Sequence, residues 1–364
     1  MTGSLTIPFT GLRKQYNNLR AEILDATDTV LRSGQLMSGN YTAEFENWLA
    51  QRNHSKYAVT CHSGSQALEI IAEYYRQQST THPPRAVVPA MTYVATANAF
   101  IRAGWEVYIA DTDAHGLIDM KKIPPDLSVQ ATVLVGLYGH SVEQFGERFW
   151  ATDLVIEDGA QHWLANGGRR LGDATAISFD PMKNLNAYGN GGAVVTDDID
   201  LLEFAREWCN NGKPRHAGIG TNSRMSEIDS AQMIVKTRHI DAWQKRRKQI
   251  ATYWIGRFKN TGIRSLIDTG NIDAHAVHKF VIDVDRRDIL QRNLELKHIE
   301  TRVHYREPLH ELPAYSACNS PDILSVASAL SRRVLSLPIY PELTDLEVEY
   351  VIDQVLDFAS AKHN

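Results

Sequence analysis

Residues 57–75 read YAVTCHSGSQALEIIAEYY. A short apolar run suited to a strand gives way to small polar residues, and then to apolar side chains at helical spacing. The same strand–loop–helix grammar returns in AVVPAMTYVATANAFIRAG (86–104). Its opening, a strand leading into a polar loop, is heard again in TVLVGLYG (132–139), LVIEDGAQ (154–161), AISF (176–179) and GGAVVTDD (191–198). Alternation of this kind argues for an α/β sandwich built on a mostly parallel sheet flanked by helices.

Working outward, residues 17–32 and 41–52 carry apolar residues at helical spacing, and Ser33-Gly34 stops the first of these helices. Residues 226–258 read as one or two long helices rich in Lys, Arg and Gln that lead out of the large unit. Beyond them, strand-like HKFVIDV (278–284) and ETRVHY (300–305) precede a closing helix in LTDLEVEYVIDQVLDFAS. Two domains are therefore expected: a large one over 1–239 and a smaller α+β one over 240–364. The 364 residues suffice for two units of ordinary size, roughly 100–200 residues each.

Composition narrows the function. With 38 basic against 43 acidic residues the net charge is −5, which gives no general attraction to nucleic acid or to anionic membranes. Cys61, Cys209 and Cys318 are scattered and form no CxxC pair, as expected of a reducing compartment without a disulfide framework, and no metal site is expected. The opening MTGSLTIPFTGLRKQY lacks a long apolar region, and no apolar run reaches ~18 residues. A cytoplasmic protein is the expectation.

Chemistry gathers around SFDPMKNLNAYGNGGAVV (178–195), where Lys183 stands between Ser178 and a glycine-rich run. In parallel α/β sheets ligands bind in loops at the carboxyl ends of strands. His62-Ser63-Gly64-Ser65 lies in such a loop, and free N–H groups at the start of the helix near Gln66 could hold an anion. Taken alone, a serine there is a simple helix cap. Asp158 closes the strand LVIED; alone it could meet solvent, and it could equally pair with a protonated ring nitrogen. Tyr93 could stack on a flat ring or belong to the core, and Gln161 could bond a ring substituent or sit in a loop. A lysine amine forms Schiff bases with aldehydes. Pyridoxal phosphate needs such a lysine, an acidic partner for its pyridinium nitrogen and an anion pocket. Lys183, Asp158 and the 63–65 loop with Ser178 supply that set in order, and the glycines at 189, 191 and 192 are expected to turn the chain sharply after the lysine.

The chain resembles the DegT/DnrJ/EryC1/StrS family of sugar aminotransferases, which are fold-type I pyridoxal phosphate enzymes. The matching pieces include IPF (7–9), HSGSQAL (62–68), PAMTYVATANAF (89–100), IEDGAQ (156–161) and SFDPMKNLNAYGNGGAVVT (178–196). NSRMSEIDSA (222–231), TRVHYREPLH (301–310) and LSLPIYPELT (335–344) continue the series to the C-terminus. The resemblance implies that Lys183 is the Schiff-base lysine and proton shuttle, and that Asp158 holds the pyridinium proton. It implies that Tyr93 stacks on the ring, that Gln161 approaches its phenolic oxygen, and that Gly64, Ser65 and Ser178 hold the phosphate. Asn222 would reach the phosphate of a neighbouring subunit, which implies a homodimer, and His304 and Tyr305 would face the substrate.

Three stretches depart from the family's usual wording: AQHWLAN (160–166), with bulky Trp163, GNGG (189–192) in place of GDGG, and GHSVEQFGERFWATDLVIED (139–158). They are expected to bear on the sugar pocket and not on the cofactor chemistry. The implied reaction transfers an amino group, usually from L-glutamate, to a keto group of a nucleotide-linked sugar. The alternatives are a cyclitol ketone as acceptor, a sugar dehydratase, which Lys183 in place of histidine argues against, and a non-catalytic cofactor-binding sensor.

Overall fold

The computed structural model describes residues 5–143, 152, 154–267, 269–321 and 324–360. Much of the departure at 139–158 therefore lies outside the described residues. Among the described residues the large sheet has seven strands: β1 (Tyr57–Cys61), β2 (Arg85–Pro89), β3 (Glu106–Ala110), β4 (Ala131–Val135), β5 (Leu154–Asp158), β6 (Ala174–Ser178) and β7 (Gly192–Thr196). Their order is β1-β7-β6-β5-β4-β2-β3. β2 to β6 pair in parallel, while β7 runs antiparallel to both of its neighbours. The strands read as nearly unbroken apolar runs because helices cover both faces.

α3 (Gly64–Gln78) and α4 (Val94–Arg102) pack on one face, where Ile70, Ile71 and Phe100 are fully buried with Val88 and Ile109. On the other face α2 (Asn40–Arg52) sets Phe45 and Leu49 against Ile177, Phe179 and Val195. α1 (Leu12–Ser33) buries Leu19, Ile23, Ala26 and Val30, one stripe at helical spacing, against Ala231 and Val235 of α6 (Glu227–Thr237). It ends at Gly34, whose φ of 69° gives the left-handed cap that glycine adopts without strain. α5 (Ile199–Trp208) follows β7.

α7 (Ile240–Phe258) leads to a second, antiparallel sheet of β8 (Arg264–Ser265), β9 (Phe280–Asp283) and β10 (Val334–Leu337), in the order β10-β9-β8. α8 (Arg287–Leu296), α9 (Ser325–Arg333) and α10 (Asp345–Ser360) complete the chain. Trp254, Phe280, Val351 and Ile352 centre this core, and Ile7 joins it. Ile7 bonds across to His298 and Glu300, so the N-terminal segment is built into the C-terminal structure.

The expected strand at 300–305 does not form. Arg302 alone bridges Ser336 through reciprocal backbone bonds of 3.2 and 2.8 Å, after which His304 and Tyr305 enter a turn that lines the cavity between the two sheets. No helix among the described residues is long and apolar enough to cross a membrane.

Candidate active site

The strand register brings three pieces of sequence to one point. Gly192 opens β7 opposite both Cys61 at the end of β1 and Ser178 at the end of β6. The loop after β1 and the residues after β6 are therefore neighbours at the sheet's carboxyl edge. A Cβ on Gly192 would lie 2.3 Å from the Ser63 carbonyl carbon, and one on Gly64 would lie 2.6 Å from Ser178 Cβ. No other residue fits at either place. The chain bends at Tyr188-Gly189 and reverses into antiparallel β7, yet none of Gly189, Gly191 and Gly192 has a positive φ, and Gly192 is required by close approach.

Ser63 caps α3, its Oγ accepting from Gln66 N at 3.2 Å. Gly64 and Ser65, whose N–H groups in the first turn have no partner within the helix, line a cavity of about 330 Å³. Ser178 lines the same space.

Asp158, at the end of β5, is buried. Its Oδ2 accepts a 2.6 Å bond from the Thr96 hydroxyl, and its Oδ1 accepts from Ala160 N at 3.2 Å. The two bonds fix the side chain where it lines the cavity. Lys183 follows in the turn after β6, its N–H bonded to the Asp180 carbonyl at 2.9 Å. Burial lowers the affinity of the Lys183 amine for a proton, while Asp158 and Asp180 pull in the opposite direction. The result is an amine below the usual lysine range.

The opposite wall comes from the start of α4 and the turn after Arg302. Tyr93 is 56% exposed and tilts against Tyr305, with ring centroids 6.1 Å apart. Gln161 accepts from Tyr138 N at 2.8 Å and donates to Tyr305 Oη at 3.4 Å. Burial first, then the charge of Asp158, holds the Tyr305 hydroxyl firmly protonated. His304 shares a 2.8 Å bond with Ser336 Oγ, and burial pushes its imidazole down to about 3, with Lys279 and Lys183 adding to the effect. It is a neutral ring at physiological pH.

All the expected site residues line this one cavity except Asn222. Asn222 is exposed and bridges Asn210, and the carbonyl of the next residue, Ser223, accepts from His62 N at 2.6 Å. The structure also adds residues that sequence reasoning passed over. Thr96 positions Asp158 from the first turns of α4, and His278 and Lys279, just before β9, form part of the wall. A charged residue opening an apolar strand, as in HKFVIDV, was the available signal for Lys279. Trp163, in contrast, points away from the cavity into the core between Trp48 and Phe179, both 6.2 Å away by ring centroid. It does not shape the substrate pocket, contrary to expectation.

The donor set fits pyridoxal phosphate. Free N–H groups and serine hydroxyls suit its phosphate, a buried acceptor suits its ring nitrogen, and a half-buried amine suits its aldehyde. The protein is an aminotransferase of the α/β class in which these groups meet at the sheet's edge. The chain belongs to the DegT/DnrJ/EryC1/StrS aminotransferase family, whose pattern matches residues 17–356. It is 34% identical to the dTDP-3-amino-3,4,6-trideoxy-alpha-D-glucose transaminase of Streptomyces venezuelae, over 97% of this chain and 96% of that protein. It is 32% identical to a pleiotropic regulatory protein of Geobacillus stearothermophilus, over 97% of this chain and 99% of that one. Among solved structures, S. venezuelae DesV in complex with a ketimine intermediate superposes with a TM-score of 0.89 at 32% identity, covering 97% of this chain and 98% of DesV.

Proposed function

We propose that the protein is a pyridoxal-phosphate-dependent aminotransferase that moves an amino group from an amino acid, L-glutamate, to a keto group of a nucleotide-linked sugar. One observation carries the reading. Lys183 and Asp158 share a cavity with the Ser63–Ser65 loop and Ser178, on a chain whose relatives include transaminases named for dTDP- and UDP-linked sugars.

When bound, pyridoxal phosphate supplies an aldehyde that condenses with amines and a ring that accepts electrons. Gly64, Ser65 and Ser178 would hold the phosphate. Asp158 would keep a proton on the ring nitrogen, and Tyr93 would cover the ring. Gln161, tied to Tyr138 and Tyr305, presents its amide to the ring's oxygen. Lys183 takes a proton from the substrate carbon and returns one, a task suited to an amine whose proton affinity burial has lowered. His304 and Tyr305 border the substrate. Asn222, exposed on its own protomer, completes the phosphate site of a partner in a homodimer. The division of the chain near residues 239 and 240, a cytoplasmic location and a product destined for a polysaccharide or secondary metabolite belong to the same proposal.

The test is an absorbance spectrum of the purified protein before and after excess L-glutamate. A visible band that falls while a near-ultraviolet band rises supports cofactor, lysine and donor together. A visible band indifferent to glutamate refutes the donor, and no band after addition of pyridoxal phosphate refutes the whole reading. Replacing the keto-sugar with a cyclitol ketone in the second half-reaction separates the two acceptor classes.

A further inference from the structure

Lys279 is a second lysine on the wall of the cavity that holds Lys183, and it is 6% exposed. It also borders a small adjoining space of about 30 Å³, shared with Lys183, Arg247 and Phe9. Its Nζ lies 5.0 Å from the centre of the Phe9 ring. Burial, reinforced by the charges of Lys183, Arg247 and Arg302, drives its amine well below the usual lysine range, and Asp180 opposes the shift. Elsewhere in the protein buried cations have dedicated partners: Lys236 donates to the Asn186 carbonyl at 2.7 Å, and Arg247 to the Ile339 carbonyl at 2.8 Å. A buried amine beside Lys183, among further basic groups and without a hydrogen-bonded carbonyl of its own, gains a proton most readily together with an anion, so the site is arranged to take up an acid group.

We propose that Lys279 seats the α-carboxylate of the amino-acid donor. The inference rests on the aminotransferase reading above and extends it to the recognition of one substrate. Geometry separates the candidate anions. The donor's α-carboxylate is one bond from the carbon whose proton Lys183 must take, so it has to lie beside Lys183, as Lys279 does. The diphosphate of a nucleotide-linked sugar is several bonds from the keto carbon and must extend towards the mouth of the cavity. A carboxylate arriving at Lys279 brings the missing charge, forms a charge-assisted hydrogen bond in a water-poor wall and orients the α-carbon towards Lys183.

The experiment uses the holoenzyme and α-methyl-L-glutamate, a donor analogue that has no α-proton to lose and therefore stops after binding. Its dissociation constant is read from the change in the visible cofactor band. Lys279→Met is expected to weaken binding about tenfold or more, the loss of one charge-assisted contact. Lys279→Arg should recover most of it. The second half-reaction, protein preloaded with pyridoxamine phosphate against keto-sugar, should change by about twofold or less, because its acceptor carries no α-carboxylate. An unperturbed visible band in each variant verifies the folded site, and Lys279→Gln serves if the methionine variant loses it. An unchanged dissociation constant in Lys279→Met overturns the proposal. So does a defect confined to the sugar half-reaction, which would give Lys279 to an anion of the acceptor. A wild-type protein that shows the visible band but ignores the analogue overturns the proposal while leaving the cofactor reading intact. Absence of the band overturns both.

Discussion

The hydroxyl of Thr96 donates a 2.6 Å hydrogen bond to Asp158 Oδ2, joining the first turns of α4 to the end of β5. The Thr96 proton is committed to this bond. The 2.8 Å contact behind it must then run from the Thr92 hydroxyl to Thr96. This chain aims the acceptor that the cofactor's ring nitrogen would meet. Thr96→Val preserves shape and removes the bond. A hydrogen bond to a charged group contributes about 1.5–3 kcal/mol, so the dissociation constant for pyridoxal phosphate should rise on the order of tenfold or more. Titration of the apoprotein by absorbance measures it, and an unaltered constant would show that Ala160 N alone fixes the carboxylate.

Lys236 makes stability depend on pH in a defined window. It is fully buried in α6, donates to the Asn186 carbonyl and lies 3.6 Å from the centre of the Tyr188 ring. Burial brings its amine from 10.5 down to about 7, with Glu342 acting in the opposite sense. Below about pH 7 folded and unfolded chains both hold the proton, and the burial penalty is fully present. From there to about pH 10.5 the unfolded chain holds a proton that the folded chain has released, so stability rises with pH. The ceiling is about 5 kcal/mol. Urea midpoints of wild type and Lys236→Met across pH 6–10 should diverge in favour of the wild type as pH rises. A constant difference would refute the assignment.

Gly192→Ala should fail for a steric reason. The new methyl group would sit 2.3 Å from the Ser63 carbonyl carbon and 2.5 Å from Gly64 N, and both are backbone. Relief requires moving the loop at the start of α3, at a cost of about 1–3 kcal/mol. A lower melting temperature together with weaker binding of pyridoxal phosphate is expected. Gly189→Ala, which meets nothing within 4 Å, is the matched control and should behave as wild type.

Trp163→Ala should lower stability by about 3–5 kcal/mol, as removal of a large buried aromatic does. The ratio of kcat/KM between two competing keto-sugars should stay as in the wild type, because the indole packs on Trp48 and Phe179 and not on the cavity. A change in that ratio would return Trp163 to the pocket.

The architecture was legible where the sequence carries local signals. The runs at 57–75 and 86–104 announce strand, loop and helix because both sheet faces are covered and each strand is continuously apolar. Lys183, Asp158 and the 63–65 loop could be placed together because ligands collect at carboxyl edges of parallel strands. What escaped depends on contacts distant in sequence. Thr96 looks like any small helix residue until Asp158, 62 positions away, is set against it. ETRVHY has the composition of a strand, yet only Arg302 finds a partner in β10. The glycine run resembles a turn, and its purpose shows only when β7 is seen lying against Ser63 and Gly64.

The N-terminal segment carries a consequence for how the protein is made. Phe9 N bonds to Glu300, 291 residues further along, and the Phe9 ring stacks on His304 and lies beneath Lys279. During synthesis residues 7–9 leave the ribosome long before the chain that receives them, so they must wait, undocked, while the large sheet assembles. Closure of this long loop is then a late event, which delays the completed substrate wall and favours a large unit that folds early without it. Cofactor capture and substrate competence should therefore arise as separate moments in the maturation of a single molecule.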